Sequence, residues 1–139
     1  MSGRAASLTS GCLADTSVFV AAEQRRPLGN PPPGDARVSV NTLTELAVGV
    51  HRAQEANLRE LRQAMLERAR RLIALPYDEA VADQLAKLLT AAQQRRRPAG
   101  PMDTIIAATA LTHELAVWTQ DDDFDLLAEL SPGLLVKRG

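Results

Sequence analysis

Aromatic residues are scarce: two Phe, one Trp and one Tyr, or 3% of 139 residues. A core must therefore be built from Leu, Val, Ile and Ala, and platforms that stack bases on exposed rings are disfavoured. Cysteine occurs once, at Cys12, which excludes an internal disulfide and fits a reducing compartment. With that one thiol and two distant histidines, His51 and His113, a Cys/His zinc site is not credible. No apolar run approaches the ~20 residues that cross a bilayer, and Met1–Gly11 lacks the apolar stretch of a signal peptide. A soluble, cytoplasmic chain without membrane association is expected. The net charge is −1, so overall charge does not point to nucleic acid. Any such binding has to use local basic runs, of which Arg95–Arg96–Arg97 is the largest and Arg25–Arg26 and Lys137–Arg138 are smaller. Taken alone, each such run is more simply a solvated loop or helix end.

The length suits one domain with its own core. Residues 1–10 are small and polar and are expected to form a disordered tail, leaving 11–139 as a single domain. Cys12-Leu13-Ala14 reads as a buried strand ending in Asp15, which can cap a helix over 16–24. Residues 27–35 are a loop, because three consecutive prolines forbid helix and central strand. Arg37–Val40 reads as a second strand, followed by a helix to about His51 whose Thr42-x-x-Glu45 has the spacing of a capping box. Residues 55–72 carry Leu58, Leu61, Met65, Ala69 and Leu72 at helical spacing, with Glu55–Arg59 and Glu67–Arg71 as supporting pairs. Leu72–Leu75 is a candidate third strand, and Asp78 caps a helix with Val81, Leu85, Leu88 and Ala92 on its apolar face. Arg95–Pro101 is a loop. Residues 102–113 are apolar nearly all round, which predicts a buried helix with Asp103 in its first turn. Ala116–Thr119 is a fourth strand, a short helix lies near Phe124–Leu127, and Leu134–Val136 is a last strand. Short apolar strands alternating with helices predict an α/β fold, a three-layer α/β/α sandwich with a central parallel sheet.

The acids fall in a pattern. Asp15 ends the first strand, and Asp121 lies two residues past the fourth. Glu45 and Asp103 lie in first turns of helices. In a doubly wound sheet, strand C-termini and the following helix N-termini share one edge, where ligands bind. Each acid separately also fits a helix cap or first-turn position. Capping does not explain why all four reach one edge. Like charges gathered there resist ionisation unless a cation compensates, and oxygen donors in that number suit Mg²⁺ or Mn²⁺. Such a cleft suits phosphodiester hydrolysis. No GxGxxG or Walker A sequence is present, and no nucleophile accompanies the histidines.

Four segments, in order over residues 12–136, resemble the PIN-domain family in its VapC-toxin branch. They are Leu13-Ala14-Asp15-Thr16-Ser17-Val18, Ser39-Val40-Asn41-Thr42-Leu43-Thr44-Glu45-Leu46 with Gly49 after it, Gly100-Pro101-Met102-Asp103-Thr104-Ile105-Ile106-Ala107-Ala108-Thr109-Ala110, and Val117-Trp118-Thr119-Gln120-Asp121-Asp122-Asp123-Phe124. The resemblance implies a Mg²⁺- or Mn²⁺-dependent endoribonuclease, the toxin of a toxin–antitoxin pair, acting on structured RNA such as tRNA or rRNA. It implies Asp15 and Asp103 as principal metal ligands, and Glu45 and Asp121 completing the catalytic pocket. Ser17 and Thr119 would stand behind them, orienting ligands or water. It also implies a homodimer, neutralised by a VapB-type antitoxin. The fourth segment departs from the commonest family pattern, which has Asn where Asp121 stands. Among the consecutive acids, Asp121 is favoured as the metal-facing one and Asp123 is second; Asp122 and Asp125 are expected to be solvated. Arg95, Arg96 and Arg97 are candidate contacts to the RNA backbone. A housekeeping RNA-processing nuclease shares the same site, and a catalytically silent binding module would lack one of the acids. A haloacid-dehalogenase-type phosphatase needs an Asp where Ser17 stands. A receiver domain needs a late-strand Lys, for which Lys137 is the sole candidate, and a flap nuclease needs insertions too long for this chain.

Overall fold

The structure, a computed structural model, describes residues 11–32 and 34–139. The expectation for residues 1–10 lies outside the described residues. Eleven elements follow in the expected order: β1 (Cys12–Ala14), α1 (Thr16–Glu23), β2 (Ala36–Ser39), α2 (Val40–Arg52), α3 (Ala56–Arg70), β3 (Ala74–Leu75), α4 (Glu79–Gln94), α5 (Pro101–Thr112), β4 (Ala116–Thr119), α6 (Asp123–Leu130) and β5 (Val136–Arg138). The strands form one five-stranded sheet, ordered β3-β2-β1-β4-β5, with every pairing parallel.

The pleat divides the core. Leu13 and Val117 point to one face, where they join Val81, Leu88, Ile106, Phe124 and Leu127 from α4, α5 and α6. Cys12, Ala14, Ala116 and Trp118 point to the other face and meet Val18 of α1. Beyond that, α2 and α3 pack through Leu46, Val50, Leu66 and Ala69. The result is the expected α/β/α sandwich. The central strands β1 and β4 are buried along their whole length, as a sheet covered on both faces requires. Burial pushes the Cys12 thiol up to about 11, which keeps it a neutral packing group.

Local details differ from the expectation where side chains found other partners. Ser39, not Thr42, caps α2: its Oγ accepts from the backbone N–H groups of Asn41 and Thr42 at 3.0 and 3.3 Å. Thr42 is fully buried inside the helix, so the capping box is not formed. Leu61 is 48% exposed, and Leu66 takes its place in the core; α3 is rotated relative to the face read from its leucines. Glu67 pairs with Arg70, and Arg59 donates to the Ala53 carbonyl. β3 and β5 are shorter or later than read, at Ala74–Leu75 and Val136–Arg138. Among the described residues no helix is long and apolar enough to cross a membrane.

Entry into β1 depends on Gly11. Its φ is +104°, and a Cβ there would lie 2.1 Å from the Asp35 carbonyl oxygen. That same oxygen accepts from the Cys12 N–H at 2.9 Å. Gly11→Ala is therefore expected to destabilise the fold by more than about 2 kcal/mol, measured as a lowered urea midpoint with unchanged slope. An unchanged midpoint would remove Gly11 from this role.

Candidate active site

The parallel order brings the C-terminal ends of β1, β2 and β4 to one edge. Asp15 leaves β1 there and caps α1, its Oδ2 accepting from the Ser17 N–H at 3.3 Å. The residue is only 3% exposed, and a buried carboxylate needs donors. Oδ2 receives a second bond, from the Thr119 hydroxyl at 2.9 Å. Thr119 Oγ1 accepts in turn from the Asp121 N–H at 2.8 Å. It also lies 3.0 Å from Ser17 Oγ. Because the Thr119 proton is committed to Asp15, Ser17 must be the donor in that contact. Ser17 Oγ accepts from the Gln120 N–H at 2.9 Å. A directed chain thus runs from Gln120 N–H through Ser17 and Thr119 onto Asp15. It joins β1 to the turn after β4, and it leaves the other Asp15 oxygen without a hydrogen-bond partner among the described residues.

The next carboxylate, Asp103, enters from α5. Pro101 occupies the first turn of that helix, a favourable place for a residue without an N–H. Thr104 returns its hydroxyl and N–H to the Gly100 carbonyl at 2.6 and 2.9 Å, which fixes the turn. Asp121 and Asp123 arrive from the β4–α6 turn, where Asp121 Oδ1 accepts from the Asp123 N–H at 2.9 Å. Carboxylate oxygens of Asp103, Asp121 and Asp123 all lie within 4.8 Å of one another. Burial, followed by repulsion from Asp15, Asp121, Asp123 and Glu45, pushes the Asp103 carboxyl up to about 7. Glu45, in the second turn of α2, is also raised, by burial first and by Asp15; a 2.6 Å hydrogen bond from the Thr16 hydroxyl opposes that rise.

The expected residues therefore converge on one edge, but with a particular grouping. Asp103, Asp121 and Asp123 make the tight set, while Asp15 and Glu45 stand beside it, close enough to repel Asp103. Ser17 and Thr119 occupy the positions behind Asp15. Asp122 and Asp125 are solvated as expected, their side chains 92% and 63% exposed, and both also pair with Arg138 of β5, at 2.8 and 2.7 Å. Thr16 and Arg138 were missed in the sequence. Each acts on an acid distant in the chain, so no local spacing signals it. Arg97 borders a hollow of about 470 Å³ that also touches Asp103 and Asp123, and pairs with Glu129 at 3.6 Å. Arg95 and Arg96 are exposed at the end of α4.

An all-oxygen, all-anionic donor set of this kind fits a hard divalent cation such as Mg²⁺ or Mn²⁺. The raised Asp103 carboxyl reflects its burial and the acids around it. Protonated Asp103 is favoured by folding, so its contribution to stability is present at low pH. That contribution is lost as pH rises from the ordinary carboxyl range through about 7. Asp103→Asn is thus expected to raise the metal-free melting temperature at pH 8, by the equivalent of roughly 1 kcal/mol after allowance for partial solvent access. The same substitution is expected to abolish most of the Mg²⁺-induced stabilisation. A lower metal-free melting temperature at pH 8 would contradict the repulsion.

The PIN domain family matches residues 12–130. Among curated relatives, Ribonuclease VapC5 of Mycobacterium tuberculosis is 40% identical, over 81% of this chain and 84% of its own length. Ribonuclease VapC4 of the same organism is 35% identical, over 85% of this chain and 92% of its own. Among solved structures, the toxin–antitoxin complex VapBC-5 of M. tuberculosis contains a chain that superposes with a TM-score of 0.82 at 33% identity, covering 92% of this chain and 98% of that one. The four carboxylate segments, the parallel sheet that gathers them and these similarities agree: the chain belongs to the PIN-domain family, in its VapC branch.

Proposed function

We propose that this chain is a Mg²⁺- or Mn²⁺-dependent endoribonuclease, the toxin of a VapBC-type toxin–antitoxin pair. The observation that carries the reading is the convergence of Asp103, Asp121 and Asp123, with Asp15 and Glu45 beside them, in a chain whose relatives are named ribonucleases. Asp103, Asp121 and Asp123 would hold the ion, with Asp15 and Glu45 completing the pocket directly or through water. A divalent ion there supplies positive charge against the phosphoryl oxygens and acidifies the water it binds. The protein's own contribution is placement. The Ser17–Thr119 chain keeps Asp15 oriented, Thr16 turns one Glu45 oxygen, and Arg138 pairs with Asp122 and Asp125 at the rim. The substrate class is structured RNA, tRNA or rRNA. The partner is a VapB-type antitoxin that covers the cleft, and the working form is a cytoplasmic homodimer built from one domain over 11–139.

The test is cleavage of total bacterial RNA by purified protein, with Mg²⁺, Mn²⁺ or EDTA. Discrete fragments that need the metal, and fall at least about 100-fold in the Asp15→Asn, Asp103→Asn variant, support the reading. Absence of cleavage by folded, antitoxin-free protein with either metal would overturn it.

Arg97 borders the Asp103 side of the site, and Arg95–Arg97 would hold the RNA backbone. Replacing all three by Ala is expected to lower the slope of log affinity against log salt by up to about 2 for single-stranded RNA. An unaltered slope in a fluorescence titration would exclude them.

A further inference from the structure

A second hollow, of about 600 Å³, adjoins the site on its Glu45 side. It is walled by α1, α2, α3 and the first turn of α5, and Thr16 and Glu45 belong both to it and to the carboxylate site. Its apolar wall includes Val20, Val48, Met65 and Met102, while Gln24 and Thr44 offer polar groups. Two arginines line it. Arg62 is engaged, donating to the Gly49 carbonyl at 2.8 Å and lying 3.7 Å from Glu23. Arg52 is exposed and makes no ion pair among the described residues.

We propose, resting on the nuclease reading above, that this groove is a nucleotide subsite. It receives an unstacked base next to the phosphate that lies over the carboxylates, and Arg52 meets a neighbouring phosphate. Three observations carry this. A strand cut at the carboxylates must continue on both sides of the scissile bond, and the site opens into two hollows, one sharing Glu45 and the other sharing Asp103 and Asp123. The Glu45-side groove falls in the size range of small-molecule sites, about 300–1,000 Å³, and so has room for a nucleotide. Its chemistry also suits a base in a protein short of rings. Two of the four aromatic side chains, Trp118 and Phe124, are buried in the core, whereas thioethers and a guanidinium can cover a base face without them. Glu23 and Glu45 would repel a phosphodiester strand in this groove, and an unpaired Arg52 is the charge that offsets them.

The experiment uses Asp103→Asn protein, expected to hold RNA without cutting it, and a fluorescein-labelled single-stranded RNA of about 20 nucleotides containing 4-thiouridine. Val48 is 41% exposed, so Val48→Glu alters the groove without disturbing the core. In that background Val48→Glu is expected to raise Kd about tenfold. Arg52→Ala is expected to raise it several-fold and lower the salt slope by about 0.7. Irradiation is expected to cross-link the RNA to peptides containing residues 44–52 or 62–65. Melting curves and Mn²⁺ binding, measured with Asp103 restored, verify that fold and carboxylates are intact. Kd values within twofold of the parent, with cross-links elsewhere, overturn the subsite. So does loss of antitoxin inhibition with RNA binding unchanged, which assigns the groove to the protein partner. With Asp103 restored, equal RNA cleavage by wild type and Val48→Glu overturns the subsite and leaves the nuclease reading standing. A wild type that cuts nothing overturns that reading itself.

Discussion

Asp15 lies at the C-terminal end of the central strand β1, beside β4, and is almost wholly removed from water. A charge in that position persists only if donors replace the lost hydration. Here they are the Ser17 backbone and the Thr119 hydroxyl, and Thr119 is itself held by Ser17 and by the Asp121 N–H. The satisfaction of one buried acid therefore dictates where the turn after β4 must run. In that turn Asp121 and Asp123 bring carboxylate oxygens within 4.8 Å of Asp103. The site is assembled outward from the desolvated carboxylate, with hydroxyls and backbone amides serving as its fixed counterparts.

The cost of that assembly is borne by Asp103. It approaches from a helix that is otherwise apolar on nearly every side, so it is both dehydrated and surrounded by acids. Its raised pKa expresses burial first and the neighbouring acids second. The protein limits the concentration in one place. Arg138, on the edge strand β5, pairs with Asp122 and Asp125, which line the same hollow as Asp103 and Asp123. Of the three consecutive acids, Asp121 and Asp123 bring carboxylate oxygens to Asp103, and Asp122 pairs with Arg138 at the surface.

Recognition has to be built from other materials than aromatic faces. Phe124 and Trp118 are committed to the core on opposite sides of the sheet. What remains around the carboxylates is aliphatic and thioether surface in one hollow, and an arginine with further acids in the other. The modest net charge conceals this local arrangement, because the acidic edge and the separate arginines nearly cancel in the sum.

Element order, the parallel sheet and the edge to which Asp15, Glu45, Asp103 and Asp121 come were legible in the sequence. They follow from short-range rules: apolar strands of a few residues, helical spacing of Leu and Ala, and acids just past strand ends. Local rules erred where a side chain had competing partners. Thr42 had the spacing of a cap but was needed inside the helix, against α1, while Ser39 took the capping role. Leu61 had the right spacing for the core of α3, but packing against α2 selected Leu66. The pairing of Thr16 with Glu45, the chain from Gln120 to Asp15 and the capture of Asp122 by Arg138 join residues far apart in the chain. No periodicity can encode such pairs, since they exist only after strands from distant segments lie side by side. The sequence by itself determined which acids reach one edge of the sheet. Only the tertiary structure decided which acids form the tight set and which pair with Arg138, because that depends on contacts between segments distant in the chain.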